Sequence, residues 1–357
     1  MKPNNSPFQK SILMSINHLS LVGRLTLNLA SLNNEGSEGN ATQPRAATIV
    51  LDGQLYSVPV ISGDMLKYWH ASHLSAIAQD RGLPLSQNSA QRNPNPNRIK
   101  SELSSQEWVN ANMAKTSKLN GEIKGEKRKP IEEELYQVVA RDCAVTDAHG
   151  ILVTELNTVN KKTKEGVKAT VAIARTSRVQ VGFMTGVPDL SATRHYFHAK
   201  FVTERTGDAA REGSGNEGQN IFTCPATSAD YAIVITVDLA GLGFDDAGND
   251  YVIPESDRTA RKRAVLDALS YTLMNQPGAN ASQQFPHVMG FKGAIVTSEN
   301  RLPAPTVSPI KSDYLEQLNR LVDSTNNMVD ENHLTMHRVE SIADAVDKLS
   351  EIGKSYA

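Results

Sequence analysis

A chain of 357 residues is long enough to bury a sizeable core, either as one elaborated domain or as a domain carrying large insertions. Its 37 Lys and Arg against 39 Asp and Glu give a formal charge of -2, so no global basic field is available for simple non-specific DNA binding; RNA binding needs only one basic face. Aromatic residues make up 5%, which leaves few platforms for base stacking. The two cysteines, Cys143 and Cys224, form no close pair, are too few for a structural zinc site and fit a reducing cytosol. No apolar run reaches the length of a membrane span and residues 1–10 lack a signal-peptide core, so the expected location is cytoplasmic, with no membrane partner.

Leu19, Leu21, Leu25, Leu27 and Leu29 alternate with Ser20, Arg24, Thr26 and Asn28, the period of a strand with one buried and one polar face. Ser31 to Arg45 reads as a loop. A strand over Ala47–Leu51 then turns at Asp52-Gly53, a favoured hairpin dipeptide, into Tyr56–Ile61. Ser62-Gly63-Asp64 leads into an amphipathic helix over Met65–Asp80, halted near Gly82. From Leu85 to Pro130 the chain is rich in Asn, Pro and Ser and then in Lys, the composition of an insertion with a solvated surface.

Ile131–Val139 reads as helix, and a basic stretch with Lys161, Lys162, Lys164 and Lys168 follows Leu152. Arg178–Phe183 and Tyr196–Val202 alternate as strands, joined by a polar, turn-like Thr185–Arg194. Gly207–Gly218 reads as a loop, Tyr231–Leu239 as a strand covered on both sides, and Glu255–Asn275 as a helix. Ile295–Thr297 is a short strand. Val339, Ile342, Val346 and Leu349 form a heptad-like stripe on a last helix. Strands, an insertion, then more strands and helices predict an α+β fold on an antiparallel sheet.

Nothing in the sequence makes a positive case for catalysis, a metal or a cofactor. His195 and His198 lie three apart in a predicted strand, on opposite faces. His333 and His337 are four apart in helical sequence but lack the Glu of a metalloprotease helix. The string Gly213-Ser214-Gly215-Asn216-Glu217-Gly218 has no feeding strand or following helix, and Glu217 would repel a phosphate.

For nucleic acid, the polar strand positions Arg24, Asn28, Arg178, Gln180, His198 and Lys200 offer donors to phosphates and sugar hydroxyls. The corner Val60-Ile61-Ser62-Gly63-Asp64 is more specific. A helix start there exposes unpaired N–H groups and a positive dipole end, with Lys67 and His70 one turn away. The same residues also describe an ordinary cap by Ser62 or Asp64.

The strand Leu21–Leu29, the string Asn33-Asn34-Glu35-Gly36 with Gly39-Asn40 and Arg45, and Val58-Pro59-Val60-Ile61-Ser62-Gly63 resemble the opening of the DevR family. Asp147-Ala148-His149-Gly150-Ile151-Leu152 and Arg175-Thr176-Ser177-Arg178-Val179 are similar to that family too, in order, across Leu19–Val202. Its members are repeating backbone subunits of type I CRISPR Cascade complexes.

The resemblance implies a modified ferredoxin-like, RNA-recognition-like palm (residues 11–84 and 140–311) with a helical insertion (85–139), a hairpin thumb within about 184–220 and a C-terminal helical extension (312–357). It implies copies of the chain polymerising along a guide RNA that is held by its backbone and pairs with a target DNA strand. Other Cascade subunits, and through them a helicase-nuclease or a transposition machinery, would be further partners. Carried onto this chain, RNA contacts fall to Arg45, Ser62, Gly63, Lys67, His70, Arg175 and Arg178, with His198 and Lys200 from the strand, and Met184 wedging a displaced base. In related type III subunits an Asp in the loop after the first strand cuts target RNA. Here Ser31–Arg45 holds Glu35 and Glu38 but no Asp, which favours a non-cleaving role. Two alternatives stand beside this reading: an RNA-cleaving subunit using Glu35, and a duplex-DNA autoregulator reading through Arg258, Arg261, Lys262 and Arg263.

Overall fold

The computed structural model describes residues 16–90, 129–159, 166–201, 219–277, 280–281, 283–329 and 333–356. Its centre is an antiparallel sheet. Strand β1 (His18–Ala30) runs between β10 (Gln219–Asp238) and β13 (His287–Ser298). On the β13 side β14 (Leu334–Val339) closes one edge. Beyond β10 come β9 (Met184–Phe201), β5 (Gln54–Ile61) and β4 (Ala46–Leu51), so the order is β14-β13-β1-β10-β9-β5-β4. The short β8 (Val179–Val181) also pairs with β10, and β2 (Asn34–Glu38) with β3 (Ala41–Pro44) makes a hairpin whose second strand touches β10. β6 (Ile151–Val159) with β7 (Gly166–Arg175) forms a separate hairpin, as do the short β11 (Phe244–Asp245) and β12 (Asp250–Tyr251).

The alternating leucines of β1 explain the main core. Leu19, Leu21, Leu25 and Leu27 meet Ile233, Ile235 and Val237 of β10, under helices α1 (Gly63–Asp80), α4 (Glu255–Met274) and α6 (Ile342–Lys354). Helix α2 (Lys129–Arg141) and the short α3 (Ala144–His149) join the same core through Leu135, Val139, Val145 and Ala148. The opposite face is not left to solvent, contrary to the expected polar side. Val22, Ala294 and Val296 pack under Leu315, Leu318 and Val322 of α5 (Tyr314–Val329). Ser20 donates to the Pro305 carbonyl at 2.7 Å and Arg24 to that of Pro309 at 2.8 Å, so the polar residues of β1 are sealed beneath a crossing segment. Around β1 both faces of the sheet are covered.

The hairpin at Asp52-Gly53 forms as expected, with both turn residues at positive φ (50 and 80), and α1 ends before Gly82. Other expectations need correction. Leu29 does not join the buried leucines, because β1 bulges beyond Leu27 and Leu29 turns outward at φ 55. Ser31–Arg45 is a β-hairpin rather than a loop. Thr185–Arg194 is no connection but part of one long strand; its turn-like composition marks an irregularity around Pro188, which has no N–H to pair, and Asp189, at φ 62. His333 and His337 lie before and within β14, not on one helical face, and Val339 ends that strand, so only the later stripe residues belong to α6. Gly213–Gly218 lies outside the described residues, as does most of the expected insertion. Among the described residues no helix is long and apolar enough to cross a membrane.

Candidate nucleic-acid interface

The corner between β5 and α1 is built as its residues suggest. Ser62 sits in extended backbone (φ -65, ψ 152) as N-cap, and its hydroxyl accepts from Met65 N–H at 3.3 Å. Its own N–H donates to Asn33 Oδ1 at 2.7 Å. Helix geometry leaves the N–H groups of Gly63 and Asp64 without an intrahelical acceptor at the positive dipole end. Gly63 lies in a close approach: a Cβ there would stand 3.3 Å from the Val181 carbonyl and 3.4 Å from the Val181 side chain, tight enough that the neighbour would have to give slightly.

Asn33 ties the neighbouring strands to this corner, since its carbonyl accepts from Arg45 N–H at 3.1 Å while the Arg45 carbonyl accepts from Val60 N–H at 3.0 Å. In the sequence Asn33 is one residue of the Asn33-Asn34-Glu35-Gly36 string, and its signal is a short amide side chain at the exit of a strand, a residue that bonds backbone in turns. The half-buried Arg45 guanidinium lies 3.2 Å from Glu35 in a strand-end hollow lined also by Asn34, Pro59 and Thr227. One cation is therefore held beside the helix start, paired with a carboxylate of the same hairpin.

Lys67 and His70 face inward from α1. Lys67 Nζ donates to the His149 carbonyl at 3.2 Å, and partial burial lowers its pKa. His70 is buried, with Nε2 3.1 Å from the Val265 carbonyl and Nδ1 2.8 Å from His149 Nε2. A carbonyl only accepts, so His70 carries its proton on Nε2 and its Nδ1 accepts from His149. Desolvation brings His70 down to about 4 and His149 well below the usual imidazole range; both are neutral at pH 7. A buried neutral imidazole with both nitrogens engaged is a core residue, which corrects the expectation of a phosphate donor.

Arg175 and Arg178 are displaced from that role for the same reason. Arg175 is fully buried: it pairs with Asp147, and donates to the carbonyls of Phe244 at 2.7 Å and Gly241 at 3.2 Å. The other oxygen of Asp147 accepts from Arg261 Nη1 at 2.7 Å, and Gly243 N–H reaches both oxygens at 3.0 and 2.9 Å. Arg178 grips Asp246 at 2.6 Å and Asp238 at 3.3 Å. Met184 is buried opposite Ile61 in the core, where it can wedge no base. His198 and Lys200 lie on the outer part of β9, and their side chains fall outside the described residues.

The structure thus brings Arg45, Ser62 and Gly63 together at one corner, turns the Lys67 ammonium to the His149 carbonyl one helical turn on, and sets Arg175 and Arg178 in an internal lattice under the loop 241–246. The outer halves of β9 and β10 form an antiparallel arm in register from Ser191–Ala229 to Phe201–Gln219. Among the described residues no group of three His, Cys, Asp or Glu converges as metal ligands would.

Comparison with known proteins finds one family. The model of the family described as "CRISPR-associated negative auto-regulator DevR/Csa2" matches residues 21–319. A protein of Methanocaldococcus jannaschii described as "CRISPR-associated protein Cas7/Cst2/DevR" is 25% identical over 324 residues, 87% of this chain and 90% of its own. A Saccharolobus solfataricus protein described as "CRISPR-associated protein Cas7/Csa2 1" is 24% identical over 318 residues, 86% and 87% of the two chains. Among solved structures, a chain of a "CRISPR RNA-guided surveillance complex, pre-nicking" aligns over 95% of this chain and all of its own, at 10% identity and a TM-score of 0.45.

Proposed function

The chain belongs to the DevR/Csa2 family of CRISPR-associated proteins, and on that premise we propose that it is a guide-RNA-binding backbone subunit of a Cascade-type surveillance complex in the cytoplasm. The observation that carries the reading is the match across residues 21–319, which spans the β5–α1 corner and the β9–β10 arm together. RNA lies against the corner, with one phosphate at the Gly63 and Asp64 N–H groups and Arg45 and Lys67 supplying charge. Contacts of this kind read the backbone and leave sequence to base pairing with a target DNA strand. The sheet and helices α1 and α4 make the RNA-recognition-like palm, residues 85–139 the insertion, and the β9–β10 arm, within about 184–220, the thumb. Residues 312–357, expected as a helical extension, also supply the edge strand β14 and two core helices, so they stabilise the palm itself.

The subunit does not cut RNA in this reading, and Glu35 serves as the partner of Arg45. Incubating the assembled complex with complementary RNA and magnesium tests that point: intact RNA is expected, and cleavage abolished by Glu35→Ala contradicts it.

The duplex-DNA alternative draws on the family description, but the basic run on α4 supports it poorly. Arg261 is buried against Asp147, Arg258 lies 3.9 Å over the Tyr251 ring, and Lys262 lies 4.7 Å over Tyr356. A recognition helix needs such side chains free to reach base edges. Gel-shift competition separates the two: unrelated duplex DNA should fail to displace guide RNA, and efficient displacement would favour the autoregulator.

A further inference from the structure

Asn33 carries more hydrogen-bonding capacity than the fold uses. Its Oδ1 accepts from the Ser62 N–H at 2.7 Å, and its carbonyl from the Arg45 N–H at 3.1 Å. A backbone N–H meets only an acceptor, so the amide oxygen is fixed on the Ser62 side and the NH2 group on the other. That NH2 has no hydrogen-bond partner among the described residues, and the half-buried side chain belongs to the wall of the hollow that also holds Arg45. The neighbouring Asn34 differs: its NH2 is occupied, donating to Ser31 Oγ at 3.3 Å.

The residue type argues against a purely structural post. An aspartate would hold the Ser62 N–H with charge assistance, and would sit favourably at the positive end of α1 and beside Arg45. A neutral amide forgoes that stabilisation. What it keeps, and a carboxylate lacks, is a donor, with no negative charge to repel an anion. The NH2 shares its carbon with Oδ1, so it lies next to the start of α1, where Ser62 is followed by the free N–H groups of Gly63 and Asp64.

We infer that Asn33 binds RNA directly: its NH2 donates to the phosphate received by the Gly63 and Asp64 N–H groups and Arg45, while its Oδ1 holds the helix start in place. The inference rests on the RNA corner proposed above, to which it adds a neutral donor. One side chain then does two things with its two ends. The oxygen fixes where the backbone donors stand, and the nitrogen joins them on the ligand.

The test compares thermal unfolding with RNA affinity in the full chain, using a labelled synthetic guide-length RNA and fluorescence anisotropy at low salt. Asn33→Asp keeps the acceptor and replaces the donor by an anion of the same shape. Its unfolding midpoint should match or exceed that of wild type, while the dissociation constant rises about tenfold or more. Asn34→Asp introduces the same charge one residue along and should change affinity by less than about threefold. Asn33→Ala removes both ends and should lower midpoint and affinity together. Asn33→Asp binding like wild type, or Asn34→Asp losing as much, would overturn the donor; a lowered midpoint in Asn33→Asp would overturn the part given to the acceptor. Those results leave the corner standing when an Arg45→Gln, Lys67→Gln variant loses RNA. Wild type without affinity for the RNA, or full affinity in that double variant, overturns the corner and this assignment with it.

Discussion

Asp147→Asn removes the charge of a carboxylate that accepts from Arg175, Arg261 and Gly243, without changing its size. Asp147 and Arg175 are fully buried and Arg261 nearly so, and the single carboxylate stands between the two guanidiniums. At an effective dielectric of 20 and a charge separation of ~4 Å, each pair is worth about 4 kcal/mol. The carbonyls of Phe244, Gly241 and Ala140 still accept from the arginines after the substitution, which offsets part of the loss. Two cations without their anion should therefore cost about 3–5 kcal/mol, a large share of a total stability of about 5–15 kcal/mol. Thermal unfolding of the purified chain should show the midpoint falling by roughly 5–15 °C. In an Arg261→Met background the same substitution should cost markedly less, because the contacts are coupled. An unchanged midpoint for Asp147→Asn would refute the internal role given to Arg175 and Arg261.

Three further outcomes are expected. Gly150 is at φ +71, and a Cβ there would sit 2.3 Å from the Arg175 carbonyl and 2.7 Å from Ser177 N; Gly150→Ala should destabilise by about 2–4 kcal/mol in denaturant unfolding, and a neutral result would contradict the close approach. His70 stays neutral in the folded chain down to about 4 but takes a proton near pH 6.5 when unfolded. Its contribution is thus complete above pH 6.5 and declines as pH falls toward 4, by about 2 kcal/mol between pH 7 and pH 5, with His149 adding in the same direction. Denaturant titrations across that window should show the slope, and His70→Gln should flatten it. Ser62→Ala removes the α1 cap and should cost ~1 kcal/mol while leaving RNA retention within about twofold, because the phosphate is held by backbone N–H groups; a collapse of binding with a folded chain would instead assign the hydroxyl to RNA.

Local signals in the sequence were strong wherever one periodicity or one turn chemistry governs a segment. The leucines of β1, the Asp52-Gly53 hairpin, the Ser62 cap and the length of α4 were legible for that reason. Arg24, Arg175 and Arg178 were not, because a basic residue reads as surface until the distant carboxylate or carbonyl that buries it is known. Arg24 meets Pro309 across 285 residues, and Arg175 and Arg178 meet residues 238–246, 60 or more residues on. β9 looks interrupted in the sequence because Gly186-Val187-Pro188-Asp189 is turn chemistry, and only its pairing with β10 shows an irregularity inside a strand. β14 was missed because its six residues carry His337 and Arg338 and borrow their partner from β13.

The most direct measurement is made on particles purified after co-expression with a CRISPR array, with the retained RNA extracted, sized and counted per protein. Guide-length RNA protected from nuclease is expected, with retention falling about tenfold or more in an Arg45→Gln, Lys67→Gln variant of unchanged melting temperature. Particles free of nucleic acid, or full retention in that variant, would contradict a ribose-phosphate grip at the start of α1.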